Sequence, residues 1–384
     1  MNYQVDLEAI TSTVVRRGEL VFAGVATHER NADPGALAAE LVARLGQLVE
    51  RVGTDMGHVI KLGVYWMEGQ FASQQEVFDI LARSLAGRAH PAVTCVPLPA
   101  YAGTETLRID AIVNVEAAPV TCSATSSVFP AAVRAGRFIA VSAQGAPEAG
   151  PDYPRQNELA MEHMDGVLSE FGASLDDVVK FNVFYVGQGN ADEWAIGAEA
   201  RARSFPDPGP AATGVPVAHL GDPDCLVIVD ALAMLAEDGM RLPRTYSWPE
   251  GHWDWPVRMP YKHGGKCQEM VYFGGQVSLT AKADVIDPDD LPQQIATSMD
   301  YIRAVLAGFD AQLTDVVQLT AFYSGDETAC AEVAALVAAE EGVRPGEVVI
   351  SAVHLPYLAY EKMVVEIEGV AIVERTSGSD GHTR

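Results

Sequence analysis

Near its C-terminus the chain places two carboxylates two residues apart, Glu366 and Glu368, within Val364-Val365-Glu366-Ile367-Glu368-Gly369-Val370. A run this rich in β-branched residues reads as a strand, whose alternate side chains face one side. Carboxyl groups brought together in this way push their proton affinities apart. Either of them, if partial burial raises its pKa, could then stay protonated near neutrality and act as a general acid/base or water-activating group. A structural ion pair with a lysine explains the same spacing equally well.

Upstream lies the densest group of other reactive side chains, Tyr261, Lys262, His263, Lys266 and Cys267, followed by Gly274-Gly275-Gln276. Tyr261 offers a hydroxyl to orient a substrate, and His263 and Gln276 offer polar side chains to bind one. The backbone of Gly274 and Gly275 permits close approach. A nucleophilic Cys267–His263 pair is disfavoured because neighbours along a strand point in different directions. His252 and Asp254 have no companions at metal-ligand spacing, and His163 sits in a helical pattern without a second ligand. The expectation is therefore no metal and no cofactor.

These groups can act only if elements of structure bring them together, and the chain supplies such elements three times. Leu175-Asp176-Asp177-Val178-Val179-Lys180-Phe181-Asn182-Val183-Phe184-Tyr185 is echoed upstream from Asp55 to Tyr65 and downstream from Leu313 to Tyr323. Each copy passes from a polar turn into a β-branched and aromatic run, as a strand entering a core does. Lys61 and Lys180 are 119 residues apart and Lys180 and Gln318 are 138 apart, the period of a whole domain and not of a solenoid unit.

Around each copy the order ββαβαββ can be read. Leu37, Leu41, Leu45, Leu48 and Val52 form a 3.6-residue stripe, as do Ala160, Met164, Val167 and Phe171, and Ile295, Met299, Ile302 and Leu306. Ser73 with Glu76 and Asn190 with Glu193 mark the starts of second helices. The order predicts an α+β fold of three domains, each with both helices on one face of its sheet. The repeats are expected at 1–116, 117–236 and 257–375, with a Trp/Pro-rich linker or lid at 237–256 and a flexible tail at 376–384. The linker holds Trp248, Trp253 and Trp255, three of five tryptophans. It reads either as a clamp over an apolar seam or as a lid over a pocket. Lys61 and Lys180 are expected to point outward from their strands.

Composition limits the partners. The 384 residues carry a formal charge of −26 and are 48% apolar. Such acidity opposes binding to nucleic-acid phosphates or to anionic membranes. No apolar run is long enough to span a bilayer, and Met1-Asn2-Tyr3-Gln4 does not open a signal peptide. The five scattered cysteines, without a C-x-x-C pair, suit reduced thiols and a cytoplasmic location.

Taken together, these residues resemble the RidA (YjgF/YER057c/UK114) family in three tandem copies. The third copy carries the strongest matches: Pro260-Tyr261, Gly274-Gly275-Gln276, Val316-Val317, Leu355-Pro356 and Val365-Glu366-Ile367-Glu368. The second keeps Ser142-Ala143-Gln144 and Pro210-Ala211-Ala212, and the first keeps Pro91-Ala92-Val93. The resemblance implies chorismate-mutase-like domains arranged as a single-chain pseudo-trimer, with a central barrel, outer helices and ligand clefts between repeats. It further implies a monomeric pseudo-trimer or a dimer of pseudo-trimers.

The family hydrolyses imino and enamine acids with an arginine in its Pro-Ala-Arg segment and a carboxylate on the last strand. Here the arginine positions read Val93, Ala212 and Ile350, and the carboxylate survives only as Glu366, with Arg108 and Ile228 in the other copies. The resemblance thus points to a small-molecule enzyme acting by hydrolysis or elimination at a C–N or enol-type centre near repeat three, without the usual imine deamination. Chorismatases are a further group with a RidA-like trimer arrangement and no imine chemistry. The alternative is a non-catalytic protein that keeps a metabolite cleft. An endoribonuclease ranks last because of the charge.

Overall fold

The computed structural model describes residues 12–85, 87, 90–101, 103–116, 120–123, 128–325 and 329–373. The expected tail at 376–384 lies outside them. In chain order the first repeat folds as β1 (Ser12–Arg17), β2 (Leu20–Thr27), α1 (Pro34–Arg51), β3 (Val59–Met67), α2 (Gln74–Leu85), β4 (Ala92–Leu98) and β5 (Leu107–Asn114). The second comprises β6 (Thr121–Cys122), β7 (Ala132–Ala135), β8 (Phe138–Gly145), α3 (Tyr153–Ser169), β9 (Val178–Val186), α4 (Ala191–Ala202), β10 (Ala211–Val217) and β11 (Val227–Met234). The third comprises β12 (Arg244–Ser247), β13 (Gly264–Cys267), β14 (Met270–Val277), α5 (Leu291–Ala307), β15 (Val316–Tyr323), α6 (Cys330–Ala338), β16 (Val349–His354) and β17 (Val365–Ile372).

The same local devices recur in each repeat. Asp33, Asp152 and Asp290 cap the first helices by accepting from the backbone N–H of Ala36, Arg155 and Gln293, with a proline in the first turn each time. Gly18 and Gly136 turn the first two hairpins at positive φ, and Gln268 takes that conformation in the third. The recurring sequence becomes β3, β9 and β15. Each runs parallel to the strand after its second helix and antiparallel to the last strand of its repeat.

The sheets are ordered β1-β2-β5-β3-β4, β10-β9-β11-β8-β7-β6 and β12-β13-β14-β17-β15-β16. Arg244–Ser247, read from sequence as part of the linker, pairs with β13 as an edge strand.

Each sheet buries one face under its own helices and the other in a core shared by all three. Val15, Phe22, Ile60, Phe138, Val179, Tyr272, Val317 and Val370 meet in that common core. Edge strands β4, β10 and β16 pack against β8, β14 and β2 of the neighbouring repeat, giving three pseudo-equivalent junctions. Among the described residues the sheets do not merge into one closed barrel. The expected barrel is realised as three separate sheets around an apolar centre, because each junction is made by side chains more than by strand pairing. Val93 N–H, for instance, donates to Ser142 Oγ at 2.8 Å.

Both faces of the recurring strand are therefore buried, which corrects the reading of its lysines. Lys61 and Lys180 point inward to the pseudo-threefold axis and are only 8% and 4% exposed. Lys61 pairs with Asp230 at 3.3 Å, and Lys180 pairs with Glu368 at 2.5 Å. The third position is Gln318.

Candidate active site between repeats two and three

Strand β17 aligns Glu366 with Phe322 of β15, as β5 aligns Arg108 with Tyr65 and β11 aligns Ile228 with Phe184. The three residues thus occupy matching places at three junctions, with three different outcomes.

At the junction of repeats three and one, Arg108 fills its own space. Its guanidinium donates to Asp110 at 3.0 Å, Glu105 at 3.2 Å, Ser351 Oγ at 2.6 Å and the Ile350 carbonyl at 3.2 Å. At the junction of repeats one and two, Ile228 lies in an open hollow beside Val93, Cys95, Phe129 and Ser142. Apart from the exposed Asp222, no charged side chain among the described residues lines that hollow.

At the junction of repeats two and three, Glu366 lines a partly open cavity. Its walls are aromatic, formed by Phe181, Trp194, Trp253, Trp255, Tyr261 and Tyr360. The Gly214 backbone N–H donates to the carboxyl. Burial and the nearby Glu368 carboxylate push the Glu366 pKa up to about 8, against the opposing pull of Lys180. At pH 7 the group is mainly protonated and able to donate.

The glycine pair makes room for it. β14 and β17 slip register between Phe273 and Gln276, and a Cβ on Gly275 would sit 1.8 Å from Glu366 Oε1. A Cβ on Gly274 would meet the Ala212 carbonyl at 2.3 Å, so this glycine serves the contact between sheets and does not line the cavity.

Tyr261 is carried into the cavity by the Pro260–Lys262 segment, which lies along β10. Gly209 N–H donates to the Pro260 carbonyl at 2.7 Å, and Lys262 bridges to Ala211. Its ring stacks on Phe181 at 6.1 Å. Its hydroxyl is buried without a hydrogen-bond partner among the described residues, and burial raises its pKa to about 12 although Arg201 stands close.

Arg201 was not singled out from sequence. It lies near the end of α4, is 2% exposed and lines the cavity. One end of its guanidinium donates to Asn157, and its Nε has no partner among the described residues. No motif announces it, since a cation in the last turn of a helix is ordinarily a surface feature. It brings a positive charge to the cavity wall from a helix.

Gln276 and His263 lie elsewhere. The Gln276 carboxamide oxygen accepts from His252 Nε2 at 2.7 Å and from Trp253 Nε1 at 3.2 Å, while its amide donates to the Gly274 carbonyl. His263 Nε2 donates to the Trp253 carbonyl at 2.9 Å, and its ring stacks on Trp255 at 5.2 Å. Burial, with His252 and Lys262 nearby, holds its pKa down to about 3, so the ring is neutral. Both residues anchor the tryptophan segment, whose buried donors require acceptors. That segment is clamp and wall at once, for Trp253 and Trp255 line the cavity.

Cys267 belongs to the shared core, away from His263. Among the described residues no three His, Cys, Asp or Glu side chains gather as a metal site.

The family model for Endoribonuclease L-PSP, the RidA family, matches residues 121–235 and 255–373, most of the second and third repeats. The chain belongs to this family. The first repeat lies outside the match and shares its element order. Among solved structures, a chorismatase is similar over 94% of this chain and 99% of its own, at 13% identity and a TM-score of 0.58. That likeness concerns the fold. A YjgF/YER057c/UK114 family protein from Mycobacterium tuberculosis is 25% identical over 30% of this chain and 99% of its own, with a TM-score of 0.28. A Rid family protein from Yersinia pestis is 20% identical over 34% of this chain and 100% of its own, with a TM-score of 0.30. No curated protein matches the sequence significantly. No helix among the described residues is long and apolar enough to cross a membrane.

Proposed function

We propose that this RidA-family chain is a small-molecule enzyme that catalyses hydrolysis or elimination at a C–N or enol-type centre in the cavity between repeats two and three. The observation that carries the reading is that Glu366, its pKa raised by burial, and the buried Arg201 line one aromatic-walled cavity, a combination that the other two junctions lack among the described residues. Arg201 and Tyr261 anchor the carboxylate of the substrate, since a guanidinium and a phenol both donate and no other cation among the described residues lines the space.

Glu366 donates its proton to the carbon of an enol ether, and the resulting oxocarbenium ion takes up water, whose proton returns to the Glu366 carboxylate. The hemiketal then collapses to a ketone as the alcohol departs with a proton from the hemiketal hydroxyl. The tryptophan walls restrict other water.

The usual imine deamination is not expected, because the Pro-Ala-Arg position is Ala212, whose backbone packs on Gly274. An amino-acid oxidase assay coupled to imine hydrolysis should show no acceleration over buffer. Robust acceleration would refute this part of the reading.

The central test screens small unsaturated carboxylates for turnover and compares wild type with Glu366→Gln. Loss of turnover with retained binding supports the proposal. Full activity in that variant sinks it, and binding without turnover in the wild type favours a metabolite-binding role instead.

A further inference from the structure

At two junctions a lysine of the recurring strand faces a carboxylate of the next repeat, and among the described residues only one of these two has another glutamate two residues before that carboxylate on the same strand. At the junction of repeats one and two, Lys61 faces Asp230, and Thr94 Oγ1 donates to Asp230 at 2.5 Å. The residue two before Asp230 is Ile228, so this unit has nothing to tune. At the junction of repeats two and three, Lys180 Nζ donates to Glu368 at 2.5 Å, to Thr213 Oγ1 at 2.7 Å and to Asn182 Oδ1 at 2.7 Å. The residue two before Glu368 is Glu366.

Strand β10 links the two places. Thr213 holds Lys180 and also lines the cavity, while the adjacent Gly214 donates to Glu366. Lys180 therefore spends its closest contact on Glu368, leaving Glu366 beside a fixed negative charge and a cation already engaged. Besides these two, Glu366 is faced by Tyr185 of β9 and Tyr360, and Arg201 shares its cavity.

We infer that the Lys180–Glu368 pair, fixed by Thr213, is a positioning unit for Glu366 that sets the pH range over which the cavity holds a protonated acid. The inference rests on the proposed role of Glu366 as proton donor and assigns Lys180 and Glu368 to that site. Neither touches the reacting atoms. They act through the charge they present along the strand.

The test follows the Glu366 carboxyl carbon by NMR in the full chain labelled at glutamate, with the resonance assigned by its loss in Glu366→Gln. Glu368→Gln keeps the shape and removes the repulsion, so the Glu366 midpoint should fall by about one unit or more. Adding Lys180→Met to Glu368→Gln removes the remaining attraction and should return the midpoint toward the wild-type value. The matching charge-neutral pair at the other junction, Asp230→Asn with Lys61→Met, should leave it in place.

A Glu366 midpoint that does not move in Glu368→Gln overturns the inference, and that variant decides alone if the double variants fail to fold. Movement in the Asp230→Asn/Lys61→Met control equal to that in Glu368→Gln also overturns it, because the effect would then be general to the axis. A wild-type Glu366 that titrates as an ordinary carboxylate refutes the proposed function instead, whatever the variants do.

Discussion

Glu366 ties the chemistry of the cavity to pH in a defined direction. Its pKa is raised by burial and Glu368, so the folded state holds a proton that the unfolded chain releases near its ordinary value. Stability from this group is complete below that ordinary value and is lost as pH rises through about 8. Activity that needs the acid form should fall over the same upper limb. Glu366→Gln should remove the alkaline loss of stability, a gain on the order of a few kcal/mol above the folded pKa, measurable by urea unfolding at two pH values.

Gly275→Ala should displace the carboxyl, since the new methyl would overlap Glu366 Oε1. Turnover should fall by at least tenfold, while stability drops by about 1–3 kcal/mol. Arg201→Gln should weaken carboxylate binding by ~1.5–3 kcal/mol in a titration, leaving uncharged ligands little affected. Glu366 was legible because its strand carries a recognisable pattern. Arg201 was not, because its role depends on how α4 lies over a neighbouring repeat and no local spacing encodes that.

At the scale of elements, the tryptophan segment is held by acceptors from β14 and by His263, which precedes β13. In sequence Gln276 offers a polar side chain to bind a substrate, and in the structure its oxygen takes two buried donors from the segment. Gln276→Leu should cost about 2 kcal/mol or more by stranding His252 and Trp253. It should also shift tryptophan fluorescence to the red as the wall loosens, a change that a pure substrate contact would not produce.

The element order and the caps Ser73 and Asn190 of two second helices were readable, since hydrophobic period and turn residues are local signals. The edge strand Arg244–Ser247 was not, because its pairing partner β13 lies beyond the whole tryptophan segment.

At the scale of the molecule, the common core explains why Lys61 and Lys180 were misjudged. Alternation along a strand assigns one face to the helices and leaves the other to solvent, but here the second face meets two further sheets. Breaking an axial pair should be severe: Lys61→Met leaves Asp230 buried without its cation and should destabilise the chain by about 3–5 kcal/mol in chemical unfolding, unless the carboxyl takes up a proton.

Arg108 has a consequence of its own. Saturated by four partners, it blocks one of three places where an assembly of identical units would offer identical vacancies, and Ile228 leaves a second without a cation among the described residues that line it. Calorimetric titration with a carboxylate ligand should therefore saturate at one molecule per polypeptide, with a single hyperbolic isotherm and no cooperativity between sites.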